Sequence, residues 1–274
     1  MEDFVHLHVH TNYSILDGQS KVTRLVDKAI ADGMKGMAIT DHGVMFGIKE
    51  FSDYCAKINK ERKAKGEEPF KPIFGCEMYV ARRSMHDKEK DKHDNSGYHL
   101  IVLAKNYNGY KNLIKLVSHA WVDGYYYKPR TDREELEKYH EDLIVCSACI
   151  AGEVPNKIIR GDIEGAREAC EWYHRVFGDD YYLELQRHEV KDPTLVANRE
   201  AYPLQQKANK VLMQFAKEYG VKLVCTNDCH FEDKETAEAH DHLLCLSTNE
   251  DLDDPKRMRY SKQEWFKTRQ EMNE

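Results

Sequence analysis

No stretch of this 274-residue sequence sustains the roughly 18 apolar residues that a membrane span needs, so no membrane association is expected. The N-terminus, MEDFVHLHVH, lacks the basic and apolar regions of a secretory signal, which points to the cytoplasm. A basic excess is also missing: 41 Lys and Arg stand against 48 Asp and Glu, a net charge of −7. Affinity for DNA driven by phosphate neutralisation is thereby disfavoured, and any nucleic-acid contact is expected to be local or metal-mediated. The chain has no Gly-rich phosphate loop and no G-x-S-x-G element, which leaves P-loop nucleotide binding and a serine-hydrolase triad unsupported. Internal repeats and low-complexity tracts are absent too. The eight cysteines are scattered through apolar segments, which suits a reducing compartment better than a disulfide frame.

What is present is a globular composition, 41% hydrophobic and 32% charged, long enough for one large domain or two small ones. Short β-rich runs alternate with helical patterns, as in parallel βα units. Residues 4–9 alternate strictly, with Val5, Leu7 and Val9 on one face and His6, His8 and His10 on the other, and are predicted as the first strand. Val22, Leu25, Val26, Ala29 and Ile30 then fall at helical spacing. Further strands are predicted over 36–40, 72–80, 98–104, 143–147, 181–186 and 221–226, each followed by a helical pattern except the third. There the charged, apolar-poor segment 82–97 reads as a solvated loop. Seven strands in such a run predict a closed or nearly closed α/β barrel over 1–250, with 251–274 as an exit segment.

Functional groups of a parallel barrel gather where strands end. The predicted strand ends carry His8 and His10, Asp41 and His42, Glu77, Cys149, then Asp228 and His230, with Asp17 in the first loop. A His-x-His pair places two imidazoles on one strand face about 7 Å apart, close enough to share or bridge metal ions. Each motif alone has a plain reading: a chance pair of histidines, or Asp41 as a helix cap. Their recurrence at one end of a barrel predicts a metal site. Imidazole, carboxylate and one thiolate suit zinc, manganese or iron better than all-oxygen calcium or magnesium shells. So many ligands imply two or three ions. A rival zinc site on Cys146, Cys149, Cys225 and Cys229 is disfavoured, because Cys146 and Cys225 fall inside strand patterns. His6 is expected to pack in the core, and His188 is a marginal rim candidate. Such a cluster favours hydrolysis of a phosphoester, with Lys21 and Arg130 as candidate phosphate clamps.

The blocks HLHVHTNYSILDG, AITDHG, GCEMYV, YHLIVLAKN with GYKNL, GYYYKPR, SACIAGE and TNDCHF, in this order, resemble the polymerase and histidinol phosphatase (PHP) domain at the N-terminus of bacterial replicative DNA polymerase III alpha subunits. The resemblance spans nearly the whole chain. It implies a distorted seven-stranded (βα)7 barrel of the PHP fold. It also implies a metal set of His8, His10, Asp17, His42, Glu77, His99, Cys149, Asp228 and His230, with His10, Asp17 and Asp228 as catalytic residues. His99 is the awkward member, since it falls at the start of its strand, away from the expected rim. The cofactors implied are two or three divalent ions, zinc or manganese first, with iron and magnesium as further candidates. The activity implied is a 3′–5′ exonuclease acting on a DNA 3′ end, with the rest of the alpha subunit and other replisome subunits as partners. Two alternatives carry over: a metal-stabilised scaffold without catalysis, and a small-molecule phosphomonoesterase.

Overall fold

A computed structural model describes residues 3–190 and 196–274, the side chains of 196–199 excepted. Seven strands form one curled sheet: β1 (Gly36–Ile39), β2 (Lys71–Ala81), β3 (Gly97–Ala104), β4 (Arg130–Thr131), β5 (Leu143–Cys146), β6 (Tyr181–Leu185) and β7 (Lys222–Cys225). The order is β1-β2-β3-β5-β6-β7, with β4 paired to β2. The α/β class and the count of seven agree with the sequence reading, but the seven are not the same seven.

Two corrections matter for the site. Residues 4–9 are extended yet form no ladder strand; they make one isolated parallel bridge, Val9 to Cys229. Two backbone hydrogen bonds on either side, from Ala38 N–H to His6 O (2.8 Å) and Thr40 N–H to Val9 O (2.8 Å), and from Cys229 N–H to His8 O (3.1 Å) and His10 N–H to Cys229 O (2.7 Å), lay this segment between β1 and the stretch after β7. The alternation was real, but both faces are committed to side-chain packing and ligation, and β4 makes up the count instead. The second correction is direction. β3 runs antiparallel to both β2 and β5, while the other pairs are parallel. A parallel return needs a crossover element of a dozen or more residues, usually a helix. The segment 82–96 between β2 and β3 is long enough but holds no α-helix to carry the crossover, so the chain doubles back.

That segment is also less solvated than its charge suggests. Asp94 and Met85 are buried, and the Arg83 guanidinium binds the Asp94 carboxylate at 2.5 Å. Arg130, fully buried, donates to the carbonyls of Gly124 (3.1 Å), Met85 (2.8 Å) and Asp87 (3.0 Å), fastening the segment from beneath.

Helices cover the sheet on two sides. α1 (Val22–Ala31) turns Val22, Leu25, Val26 and Ala29 inward, against Phe51 and Cys55 of α2 (Ile48–Ala64). α3 (Tyr107–Val122) starts at Asn106, whose side chain accepts from the N–H groups of Asn108 and Gly109. With α4 (Arg133–Lys138), α5 (Glu153–Arg160), α6 (Ile163–Phe177) and α7 (Val196–Tyr219) it forms the larger core, where Tyr173 stacks on Tyr181 at 5.4 Å. Inside the curl, Ala38, Ile101, Leu103, Cys146 and Ala148 pack together.

Past α8 (Ala237–Thr248), the expected exit segment folds back instead of departing. Phe266 is fully buried against the His6 ring. Asn227 Nδ2 donates to the carbonyls of Gln263 (2.9 Å) and Trp265 (2.8 Å). Its aromatic residues have apolar surface to bury, and the barrel supplies the partner; α9 (Arg269–Asn273) ends the segment behind a Thr268–Glu271 capping box.

Replacing Arg130 by Met strands three carbonyls in the interior. A stability loss of about 2–4 kcal/mol is expected in urea titration, with metal content per folded molecule unchanged.

Candidate metal centre

The antiparallel course of β3 resolves the awkward position of His99. Its N-terminal end lies where β2 finishes, with His99 directly opposite Tyr79. The residue at a strand start therefore stands at the same rim as residues at the ends of the parallel strands. Eight other sequence-selected donors converge there. His8 Nε2 lies 3.2 Å from Glu77 and 2.9 Å from Asp228, and His10 Nε2 lies 3.3 Å from each. His42 reaches Asp17 and Glu77, both at 2.7 Å. His99 Nδ1 is 3.0 Å from Glu77, and His230 Nε2 is 3.2 Å from Asp17. Cys149 joins through its sulfur, 3.7 Å from His99 Nδ1.

These contacts link all nine residues, and three overlapping trios bring their ligand atoms within 4.8 Å of one another: His10, His42 and His230; His8, His10 and Asp228; His42, Glu77 and His99. His8, His10 and Glu77 form the buried floor, while Asp17, His42, His99, Cys149 and Asp228 are half-buried around the mouth. Asp228 holds a left-handed backbone, φ 53°, at the turn after β7. That turn is where Asp228 and His230 enter the same cluster.

The hydrogen bonds behind the rings decide which nitrogens face the cluster. A carboxylate only accepts, so His8 Nδ1–H donates to Glu184 (2.7 Å). The Ser14 hydroxyl donates to Asp41 (2.7 Å) and therefore accepts from His10 Nδ1–H (2.9 Å). His230 Nδ1–H donates to the Asp228 carbonyl (2.8 Å). In the neutral form of all three rings the Nε2 lone pair thereby faces the cluster, the arrangement that carboxylates and carbonyls impose on metal-binding imidazoles. His8 Nε2, His10 Nε2, His42 Nδ1, both Glu77 oxygens and Asp228 Oδ1 are buried without a hydrogen-bond partner. Interior polar atoms are rarely left so. Their convergence, chemistry and lack of partners fit divalent ions.

Electrostatics agree. Burial opposes charge on His42, but the Glu77 and Asp17 carboxylates override it and raise the imidazole to about 10. Burial likewise opposes charge on His230, and Asp17 and Asp228 lift it to about 9. Glu77, which burial alone would protonate, is held well below the carboxylate range by His99, His42 and His8. In metal-free protein, protonated imidazoles balance these carboxylates.

Sequence reasoning missed Glu184, a carboxylate inside the buried strand YYLEL; its charge amid apolar neighbours was the available signal. It also missed Ser14, and His240, whose Nε2–H donates to the Asp17 carbonyl (2.8 Å). Tyr260, from the segment read as an exit, donates to Asp17 at 3.0 Å. Asp41 caps no helix: it accepts from Thr11 and Ser14 and holds the first loop. The two candidate phosphate clamps differ in setting. Arg130 is engaged by backbone carbonyls in the interior, and Lys21 is exposed just before α1. His188 turns to the Asn227 carbonyl (3.0 Å) and Gln205. His6 packs in the core, where burial pushes it down to about 4. The rival cysteine site does not assemble, since Cys229 faces His6 and Cys225 is exposed.

Two measurements check this geometry. His42 and His230 have folded pKa values raised above about 6.5. In metal-free protein their stabilisation is complete below that pH and is lost as pH rises through about 9 to about 10. Melting temperature of the stripped protein should therefore drop across that window, and calorimetry at pH 7.5 in buffers of different ionisation enthalpy should report proton release on metal binding. Glu184→Gln, which keeps the shape but weakens the grip on His8 Nδ1–H, should lower metal affinity about 10- to 100-fold in a chelator competition.

A PHP domain family model matches residues 6–188. DNA polymerase III subunit alpha of Borreliella burgdorferi is 41% identical over 272 residues, covering 99% of this chain and 22% of the relative. That of Thermus aquaticus is 39% identical over 273 residues, covering 98% and 21%. The chain thus spans about a fifth of the length of these curated relatives. Among solved structures, histidinol phosphate phosphatase from Lactococcus lactis, complexed with zinc, L-histidinol and phosphate, aligns over 89% of this chain and 93% of that one, at 14% identity and a TM-score of 0.38. With the family model covering two thirds of the sequence, the chain belongs to the PHP domain family, in the form found in DNA polymerase III alpha subunits.

Proposed function

We propose that this chain is the metal-dependent phosphoesterase of a replicative polymerase alpha subunit, a 3′–5′ exonuclease that removes nucleotides from a DNA 3′ end. The observation that carries the reading is the complete donor set, with six buried ligand atoms left partnerless and facing one another. Two or three ions, zinc or manganese first, fit seven ligands in three overlapping trios with Asp17 and Cys149 alongside. Bound there, they supply Lewis acidity that polarises a phosphoryl oxygen and acidifies water at neutral pH.

The chain's own residues do the rest. Glu77, between four imidazoles on the floor, bridges the trios and fixes their spacing. His10, Asp17 and Asp228 are the catalytic residues: His10 joins two trios, while Asp17 and Asp228 stand at the mouth, where an entering phosphate arrives. Tyr260 and His240 hold Asp17 from its side chain and its carbonyl, so that the carboxylate keeps its aim. The remainder of the polymerase and other replisome subunits are the partners of this reading, and the cytoplasm its location. Among the described residues no helix is long and apolar enough to cross a membrane.

Protein loaded with Mn²⁺ or Zn²⁺ should shorten 5′-labelled single-stranded and mismatched-primer DNA from the 3′ end. EDTA should stop it, and His10→Ala should slow it at least about a hundredfold while the circular dichroism spectrum is kept. Fully metallated protein that leaves every DNA intact would reduce the centre to a stabilising scaffold. Faster turnover of phosphomonoesters than of oligonucleotides would move the substrate to small molecules.

A further inference from the structure

Beside the metal centre the chain exposes aromatic rings that folding does not explain. Trp121 is 43% exposed, Tyr125 48% and Tyr127 56%. The rings of Trp121 and Tyr125 are stacked, 5.5 Å apart and inclined by 20°. Two contacts tie this shelf to the cluster. Trp121 Nε1–H donates to the carbonyl of Gly43, the residue after His42, at 2.8 Å. Lys128 Nζ lies 5.4 Å from the centre of the Tyr79 ring, and Tyr79 packs against His42 (5.9 Å) and His99 (5.3 Å).

The loop carrying the tyrosines is fixed in shape. A Cβ on Gly124 would fall 1.8 Å from the Arg130 carbonyl, so only glycine permits that approach. Arg130 Nε–H donates back to Gly124, and Tyr126 N–H bonds the Lys128 carbonyl at 3.1 Å. Tyr127 holds φ 62°, a conformation that aromatic residues rarely adopt. The backbone thus bears strain to present rings to water, where their burial would have been favourable.

We infer that Trp121, Tyr125 and Tyr127 form a stacking platform for the bases of a single strand whose 3′ end enters the metal centre. The inference rests on the phosphoesterase reading and names how its substrate is held. The net charge of −7 favours this kind of recognition: the chain lacks the cationic excess for a broad phosphate track, so base stacking has to supply affinity. Lys128, exposed and without an ion pair among the described residues, is placed to meet a backbone phosphate between shelf and cluster. Rings stack on any base, so the platform reads single-strandedness and not sequence.

The test uses fluorescent oligo-dT with phosphorothioate linkages for binding, unmodified oligo-dT for kinetics, and bis(p-nitrophenyl) phosphate as a small diester. Tyr125→Ala with Tyr127→Ala should weaken oligo-dT binding and raise its KM about tenfold or more. kcat and turnover of the small diester should stay within about twofold, and Tyr125→Phe with Tyr127→Phe should restore binding. Oligo-dT should quench the fluorescence of Trp121, and log affinity should fall against log salt with a slope near −1, the mark of one or two phosphate contacts. Unchanged binding in the double alanine variant, or a salt slope steeper than about −3, would overturn the platform. If native protein cleaves DNA and the double variant keeps its KM, the platform alone fails. If native protein binds oligo-dT through these rings but cleaves no DNA, the platform stands and the phosphoesterase reading fails.

Discussion

Glu77 is the constraint around which the molecule is arranged. Its carboxylate is 1% exposed, in contact with His8, His10, His42 and His99, and neither oxygen has a hydrogen-bond partner. An ionised carboxylate in such a place is strongly disfavoured unless positive charge faces it. Protonated imidazoles supply that charge in the metal-free protein, and divalent ions held by these residues would supply it better, since they would also satisfy the remaining lone pairs. The curl of the sheet follows from the same demand: ligands from the first segment, β2, β3 and the turn after β7 must meet at one carboxylate. A flat sheet would keep them apart.

The donors were legible because chemistry of this kind is written in residue type. His8, His10, Asp17, His42, Glu77, Asp228 and His230 could be selected from their places near strand ends, before any contact was known. Strand direction was less legible. Periodicity reports which residues share a face and is silent about whether a neighbour runs up or down, so His99 stood at the wrong end of an assumed parallel strand. The signal lay in segment 82–97, which offers no helix to carry a crossover; reading its composition as mere solvation left that topological content unused. Residues 4–9 show the complementary failure. Their alternation is that of a strand, yet tertiary demands on both faces leave one bridge in place of a ladder.

Supporting residues were harder to see than ligands, for a physical reason. Glu184, Ser14 and Asp41 act by fixing which nitrogen of a neighbouring ring carries the proton, and such a role depends on distances of about 3 Å between residues as much as 176 positions apart. Arg130 illustrates the reverse case. A guanidinium in the block GYYYKPR invites a role in anion binding, but full burial and three carbonyl partners give it an architectural one.

The contact between Tyr260 and Asp17 joins residues 243 positions apart, and it ties the C-terminal segment to the mouth of the cluster. Such a bond works in both directions, because coupling free energy is reciprocal. Whatever orders the Asp17 carboxylate therefore also orders Tyr260, so the first loop and the C-terminal segment behave as one cooperative unit.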